Sequence, residues 1–280
     1  MIVDTVTDIL DAVSSRKAAD VPFALATVVR TVAATAAKAG AKAVILTDGT
    51  ISEGWIGGGC ARAAVLKAAR EALADGQPRL ISVQPPGSLE DRGVAAGDRR
   101  DGVSFAANMC PSQGTMDIFI EPIMPLPQIA IFGSSPVAIA IASLARRLGF
   151  ATAVCAPKAE QANFVEADQR CDGFDLLESE RPRRFIVVST QGRGDEAALK
   201  VALSVKSEYV AFVGSRRKAA ALTAKLAAAG VPAAALAALK APAGLDLGAI
   251  TPEEIALSVL AEIVAARRAR RSNQAVALAD

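Results

Sequence analysis

The chain has 280 residues, 52% hydrophobic and 21% charged, a globular composition long enough for two domains with separate cores. A formal net charge of +2 and an aromatic content of 4% exclude a general nucleic-acid binder, because neither phosphate neutralisation nor base stacking is provided for. Histidine is absent, which excludes imidazole general bases, Ser-His-Asp and Cys-His catalysis and His-containing zinc sites together.

At the N-terminus, Asp4 and Asp8 fall at helical spacing where a signal peptide would carry a basic patch and an apolar core. An amphipathic helix to about Lys17 and a cytoplasmic protein are expected. Phe23 to Arg30 and Ala41 to Leu46 are apolar runs of strand length, and Asp48-Gly49 marks a turn between strands. Next comes Trp55-Ile56-Gly57-Gly58-Gly59-Cys60-Ala61-Arg62, leading into a helix from Arg62 to Leu73 that closes at Asp75-Gly76. Glycines let main-chain N–H groups approach a ligand, and a helix start adds unpaired donors and a positive dipole end. The run therefore reads as an anion site, with Gly57, Gly58, Gly59 and Arg62 as its donors. The same field favours a thiolate at Cys60, a candidate for soft-metal ligation or sulfur chemistry. The plain alternative is a tight strand-to-helix turn with a small buried cysteine.

A strand is expected at Leu80 to Val83, and then a long polar, Gly/Pro-rich loop from Pro85 to Pro111. That loop ends in Met109-Cys110-Pro111-Ser112-Gln113-Gly114-Thr115, which brings a second candidate thiol, Cys110, before the strand Met116 to Ile120. Cys60, Cys110, Cys155 and Cys171 form no Cys-x-x-Cys pair, and free thiols in a reducing compartment are expected. Pro122, Pro125 and Pro127 mark a linker, so the domains are read as 1–124 and 125–280.

Beyond the linker, strands and helices alternate. Ile129 to Phe132 is a strand, Pro136 opens a helix to Leu148 with Gly149 behind it, and Ala151 to Cys155 completes a βαβ unit. The chargeless stretch Ile129 to Ala145 is cut by Gly133-Ser134-Ser135-Pro136, so no integral membrane segment is expected. Further strands at Phe185 to Ser189 and Tyr209 to Val213, each before a helix, predict a doubly wound parallel sheet. The fold class is thus α/β, an N-terminal α/β domain followed by a Rossmann-like one. Gly133, Ser134 and Ser135 replace the usual Gly-x-Gly-x-x-Gly, and the second strand ends in Cys155-Ala156-Pro157 without the acid that grips a ribose. A Rossmann fold is therefore better supported than NAD use. Gly214, Ser215 and Arg216, ahead of Arg217 and Lys218, offer a further diphosphate site, although three cations oppose a helix dipole and need a reason. Thr251, Pro252 and Glu254 form a capping box, and the basic run Arg267 to Arg271 is expected to be a solvated face of the last helix.

These residues together resemble the xanthine dehydrogenase accessory family, XdhC/CoxI, over nearly the whole chain. The likeness rests on Ala26 to Thr31, Gly40 to Lys42, Asp48-Gly49, Ile56 to Cys60, Asp117 to Pro122, Val213 to Lys218, Gly244-Leu245 and Thr251 to Ser258. Met109 to Met116 looks most like the branch associated with carbon monoxide dehydrogenase maturation, CoxF/CoxI. The resemblance implies a homodimeric accessory protein that binds molybdenum cofactor, as molybdopterin or its cytosine dinucleotide, and supports its sulfuration or insertion. Implied partners are an apo molybdenum hydroxylase and a cysteine desulfurase. Cys60 and Cys110 would be the reactive thiols, with Cys60 as the metal ligand. Two departures stand out: Gln113 where the family often has a second glycine, and Gln191 where a histidine is common. The competing readings are an NAD(P)-binding Rossmann oxidoreductase, a sulfurtransferase carrying persulfide on Cys60, and a scaffold.

Overall fold

Alternating apolar residues in the early strands need a cover, and a helix rich in alanine supplies it. The computed structural model describes residues 8–176 and 183–276 and divides into two compact units, Met1–Pro125 and Leu126–Asp280. In the first unit the elements are α1 (Ile9–Ala18), β1 (Phe23–Val32), β2 (Lys42–Leu46), β3 (Ile51–Gly54), α2 (Gly59–Asp75), β4 (Arg79–Gln84), α3 (Pro86–Asp91), β5 (Arg99–Arg100), β6 (Val103–Ala107) and β7 (Thr115–Ile123). The strands form one sheet in the order β3-β2-β1-β7-β4-β6-β5, antiparallel except for the β4–β6 pair.

Every second residue of the central strands enters one core: Ala24, Ala26 and Val28 from β1, Ile81 and Val83 from β4, Met116, Ile118 and Ile120 from β7. Against them α2 lays Ala61, Val65, Ala68, Ala69 and Ala72, small side chains that let the helix approach the sheet. The helix stops at Gly76, whose φ of 69° is left-handed and whose N–H bonds to the Ala72 carbonyl.

Two expectations need correction. The segment from Pro85 to Pro111 is not a long loop: it folds α3, the β5–β6 pair and a parallel ladder of β6 on β4. Its strand residues, Val103 to Ala107, lack the strict alternation that reveals a strand, because only Phe105 among them is buried. Likewise Pro122 is no linker residue but lies in β7 opposite Ala24. The helix expected from the N-terminus is described from Ile9 onward, capped by the Asp8 carboxylate on the Leu10 N–H; its part over residues 1–7 lies outside the described residues.

The second unit runs β8 (Gln128–Phe132), α4 (Pro136–Arg147), β9 (Ala151–Ala156), a 3-10 helix (Lys158–Asn163), β10 (Gln169–Asp172), β11 (Arg184–Val188), α5 (Asp195–Ser204), β12 (Tyr209–Phe212), α6 (Arg216–Ala228), α7 (Ala233–Ala238), β13 (Leu239–Lys240) and α8 (Pro252–Val276). All its strands are parallel, in the order β10-β9-β8-β11-β12-β13. This is the doubly wound Rossmann arrangement, with the strand order reversing between β8 and β11. β8 and β11 are buried along their full length because helices cover both faces. Ile129, Ile131, Phe185 and Val187 pack on α4 and α8, while Ala130, Phe132, Ile186 and Val188 pack on α5 and α6. Each large side chain so buried contributes about 1.5–3 kcal/mol.

The capping box forms as read, Glu254 Oε2 accepting from the Thr251 N–H at 3.0 Å and Thr251 Oγ1 from the Glu254 N–H at 3.2 Å. The basic run departs from expectation: the Arg267 guanidinium stacks 4.4 Å from the Phe150 ring centroid, because its planar, weakly hydrated face suits an aromatic surface. The side chains of Arg270 and Arg271 lie outside the described residues. Among the described residues, no helix is long and apolar enough to cross a membrane.

Candidate functional site

Two loops in the first unit carry its candidate residues. Gly57, with φ 105°, is buried, and a Cβ on it would stand 3.6 Å from the Ala61 Cβ and 3.7 Å from the Met116 Cε. Gly58 and Gly59 are exposed with open space beside them, Cys60 is half-buried in the first turn of α2, and Arg62 is exposed. Gly58 is the N-cap of α2 and brings no side-chain cap, nor does the first turn hold an acid. The other long helices with described N-caps have one or the other: Asp8 caps α1, Ser135 α4 and Ser215 α6, while α5 begins with Asp195 and Glu196. Uncapped N–H groups beside an exposed arginine and a thiol suit an oxyanion or a metal-oxo group.

The second loop is built by Asn108. Its side chain donates to the Gly114 carbonyl at 2.6 Å and accepts from the Cys110 N–H at 3.0 Å, while its own N–H bonds to the Gln84 carbonyl at 2.6 Å. Cys110 is exposed, and the Ser112 hydroxyl donates to its sulfur at 3.3 Å. That bond, helped by the Ser112 backbone, holds the thiol below the ordinary cysteine range. Gln113 has φ 52°, in the left-handed region that glycine tolerates best. Met116, six residues past Cys110, is the side chain nearest Gly57 besides Ala61, so the two loops share one end of the sheet. Cys60 and Cys110 are both free thiols. Among the described residues no cluster of three Cys, Asp or Glu side chains suits a metal ion, so Cys60 offers a single ligand rather than a closed cage.

In the second unit the residues gather where β8 and β11 part. Gly133 is buried with φ 109°, and a Cβ there would lie 2.5 Å from the Ser189 carbonyl oxygen. Glycine is thus required for the turn after β8 to pass over the end of β11. Ser135 is buried: its hydroxyl caps α4 by accepting from the Ala138 N–H at 3.1 Å and pairs with the Ser189 hydroxyl at 2.6 Å. Ser134 is half-buried and turns outward to the Glu160 carboxylate, which also takes Arg193 Nη1 at 2.9 Å. Sequence reasoning missed both partners, since Glu160 comes from the 3-10 helix after β9 and Arg193 from the loop after β11.

That loop, Ser189 to Asp195, is held by Asp195, buried to 7% exposure. The Asp195 carboxylate accepts from the Thr190 hydroxyl and from the Gly192 N–H at 3.1 Å, and pairs with Lys218 Nζ at 2.6 Å. Burial pushes this carboxyl up, but the bonds from Lys218, Thr190 and Gly192 outweigh it, and the net direction is down. Lys218 also lies 5.5 Å from the Phe212 ring centroid. The basic helix start therefore has its reason for one of three cations: Lys218 answers a buried acid, whereas Arg216 and Arg217 are exposed. Gly214 packs against the Phe212 ring, and the exposed Ser215 caps α6 by accepting from the Lys218 N–H at 3.3 Å. Cys155 and Cys171 are register partners on β9 and β10, both buried, and burial first, then Cys171, pushes the Cys155 thiol well up. Neither thiol is presented to a ligand.

The sequence also resembles known proteins. The XdhC and CoxI family model matches residues 17–84, and the XdhC Rossmann domain model matches residues 129–263. Among curated relatives, "Uncharacterized protein YqeB" of Escherichia coli is 31% identical over 252 residues, covering 87% of this chain and 43% of that protein. A probable xanthine dehydrogenase component of Bacillus subtilis is 30% identical over 166 residues, covering 55% of this chain and 47% of that protein. The chain thus spans less than half the length of these relatives. A crystal structure of a xanthine dehydrogenase from Bacillus halodurans aligns with a TM-score of 0.46 at 19% identity, covering 93% of this chain and 96% of the other.

Proposed function

Because the chain belongs to the XdhC and CoxI family, we propose that it is a maturation chaperone which binds molybdenum cofactor and supports its sulfuration or insertion into a molybdenum hydroxylase. The cofactor is read as the dinucleotide form, and the client as a xanthine or carbon monoxide dehydrogenase. The observation that carries this reading is the uncapped start of α2, where exposed Gly58, Gly59 and Arg62 flank the half-buried Cys60. Those groups fit an oxyanionic, sulfur-seeking cargo: N–H donors and a guanidinium for oxygen, a thiol for soft ligation. When bound, the group would supply a molybdenum centre with sulfur ligands, and Cys60 is the residue whose thiol would hold it. Cys110, its thiol already eased toward the thiolate by Ser112, is the second sulfur donor. In the second unit, Gly133 and Ser134 after β8 and the exposed Ser215 and Arg216 after β12 would be the groups offered to a nucleotide.

Mass spectrometry of the denatured supernatant, with molybdenum analysis of the intact protein, tests this on material from cells that make the cofactor. The expected result is a pterin nucleotide with about one molybdenum per chain. Bound NAD(P) without pterin or molybdenum contradicts the reading and favours the oxidoreductase. Replacing Cys60 by Ser should keep the fold and reduce client activation about tenfold or more, the exchange preserving size while removing a polarizable sulfur. Full activation by that variant removes the thiol from the mechanism.

A further inference from the structure

The second strand of the parallel sheet ends without an acid, yet a carboxylate reaches the glycine turn by another route. Glu160 rises from the 3-10 helix behind β9 and takes one donor on each oxygen, the Ser134 hydroxyl on Oε2 and Arg193 Nη1 on Oε1. The ends of β9, β8 and β11 therefore meet through this one side chain, at the reversal of strand order where doubly wound sheets take their ligands. Neither donor is demanded by the fold. Ser135, not Ser134, caps α4, and Arg193 is 65% exposed while the Glu160 side chain is 29% exposed, so their contact is a weakly held surface pair.

A carboxylate with two releasable donors is matched by a vicinal diol, which brings two O–H groups at the spacing of its two oxygens. The 2′,3′-diol of a ribose is such a group, and its 5′-phosphates would extend toward the Gly133 turn and the Arg193 guanidinium freed by the exchange. We propose that Glu160 is the ribose-diol acceptor of a ribonucleoside diphosphate site in the second unit. The proposal rests on the functional reading above and narrows it: the nucleotide end of the cargo carries an intact 2′-hydroxyl. It also restores, from outside the strand, the acid that the sequence lacks at Cys155-Ala156-Pro157.

Calorimetric titration of the full chain with CDP and 2′-deoxy-CDP tests it, with the Glu160→Gln and Ser134→Ala variants alongside. Loss of a hydrogen bond to a charged acceptor corresponds to about 10- to 100-fold in affinity. Wild type is expected to prefer CDP over its deoxy form by about that factor, Glu160→Gln to bind both at the weaker level, and Ser134→Ala to retain the preference. Equal affinities for the two nucleotides in wild type overturn the proposal, as does binding of neither. Tighter CDP binding by Glu160→Gln also overturns it, making the carboxylate a barrier to phosphate. Equal binding of molybdopterin cytosine dinucleotide by wild type and Glu160→Gln removes the ribose assignment and leaves the chaperone reading standing. A 2′-hydroxyl preference in a protein that carries no pterin leaves the site standing and removes the chaperone reading.

Discussion

Single side chains separate chemistry from packing most clearly among the four cysteines. Cys110 is exposed with its thiol eased downward by Ser112, Cys60 is half-buried, and Cys155 and Cys171 are buried, Cys155 with its thiol pushed up. Thiolate fraction and access together set alkylation rates. Iodoacetamide at neutral pH should therefore modify Cys110 first and Cys60 next, leaving the β9–β10 pair untouched until the protein unfolds, as read by peptide mass spectrometry. Early labelling of Cys155 would contradict the placement of these strands. Asp195 gives a prediction of another kind. Its folded pKa lies below the ordinary 3.8, so it adds stability above that value, and the stability is lost as pH falls through the folded pKa. Asp195→Asn should cost about 1–3 kcal/mol at neutral pH, less than a fully buried pair because Lys218 is 37% exposed, and should flatten the stability profile below pH about 4. Urea titrations across pH 3 to 7 check both; an unchanged acid limb contradicts the role given to the carboxylate.

At the scale of elements, adjacent serines after β8 do different work. Removing the Ser135 hydroxyl deprives α4 of its cap and leaves Ser189 without its partner, so Ser135→Ala should lower stability by about 1–3 kcal/mol. Ser134→Ala should change it by no more than about 0.5 kcal/mol, because its hydroxyl serves only Glu160. Equal losses in denaturant unfolding would contradict the division between fold and ligand. Gln113 stands at a left-handed φ of 52°, so Gln113→Gly should be neutral or stabilising by up to about 1 kcal/mol. Periodicity and punctuation made most elements legible: the βαβ unit around Pro136, the capping box at Thr251 and the helix behind Cys60 follow from local rules that the structure obeys. What stayed hidden depended on distant neighbours. Val103 to Ala107 became a strand by pairing with β4, and Pro122 sits in β7 because β1 accepts it. Of the site, Gly133 and Ser135 were visible as a turn and a cap, but Glu160, Arg193 and the Asp195–Lys218 pair come from separate loops and carry no motif.

Across the whole molecule, the two units offer different chemistries, a thiol at a bare helix start in the first and hydroxyls and cations after the strands of a parallel sheet in the second. A pterin nucleotide presents both a soft metal end and a phosphorylated ribose, whereas NAD presents only the second kind of group. Under the proposed function, the protein should bind molybdopterin cytosine dinucleotide about tenfold or more tighter than NAD or NADP, and Arg216→Glu should weaken that binding by reversing an exposed charge at the start of α6. Calorimetric titration of the full chain with these three ligands is the most direct measurement. The account predicts saturable binding of the pterin dinucleotide and weak or undetectable binding of NAD and NADP; sub-micromolar NAD(P) binding with no detectable pterin-dinucleotide binding would contradict it.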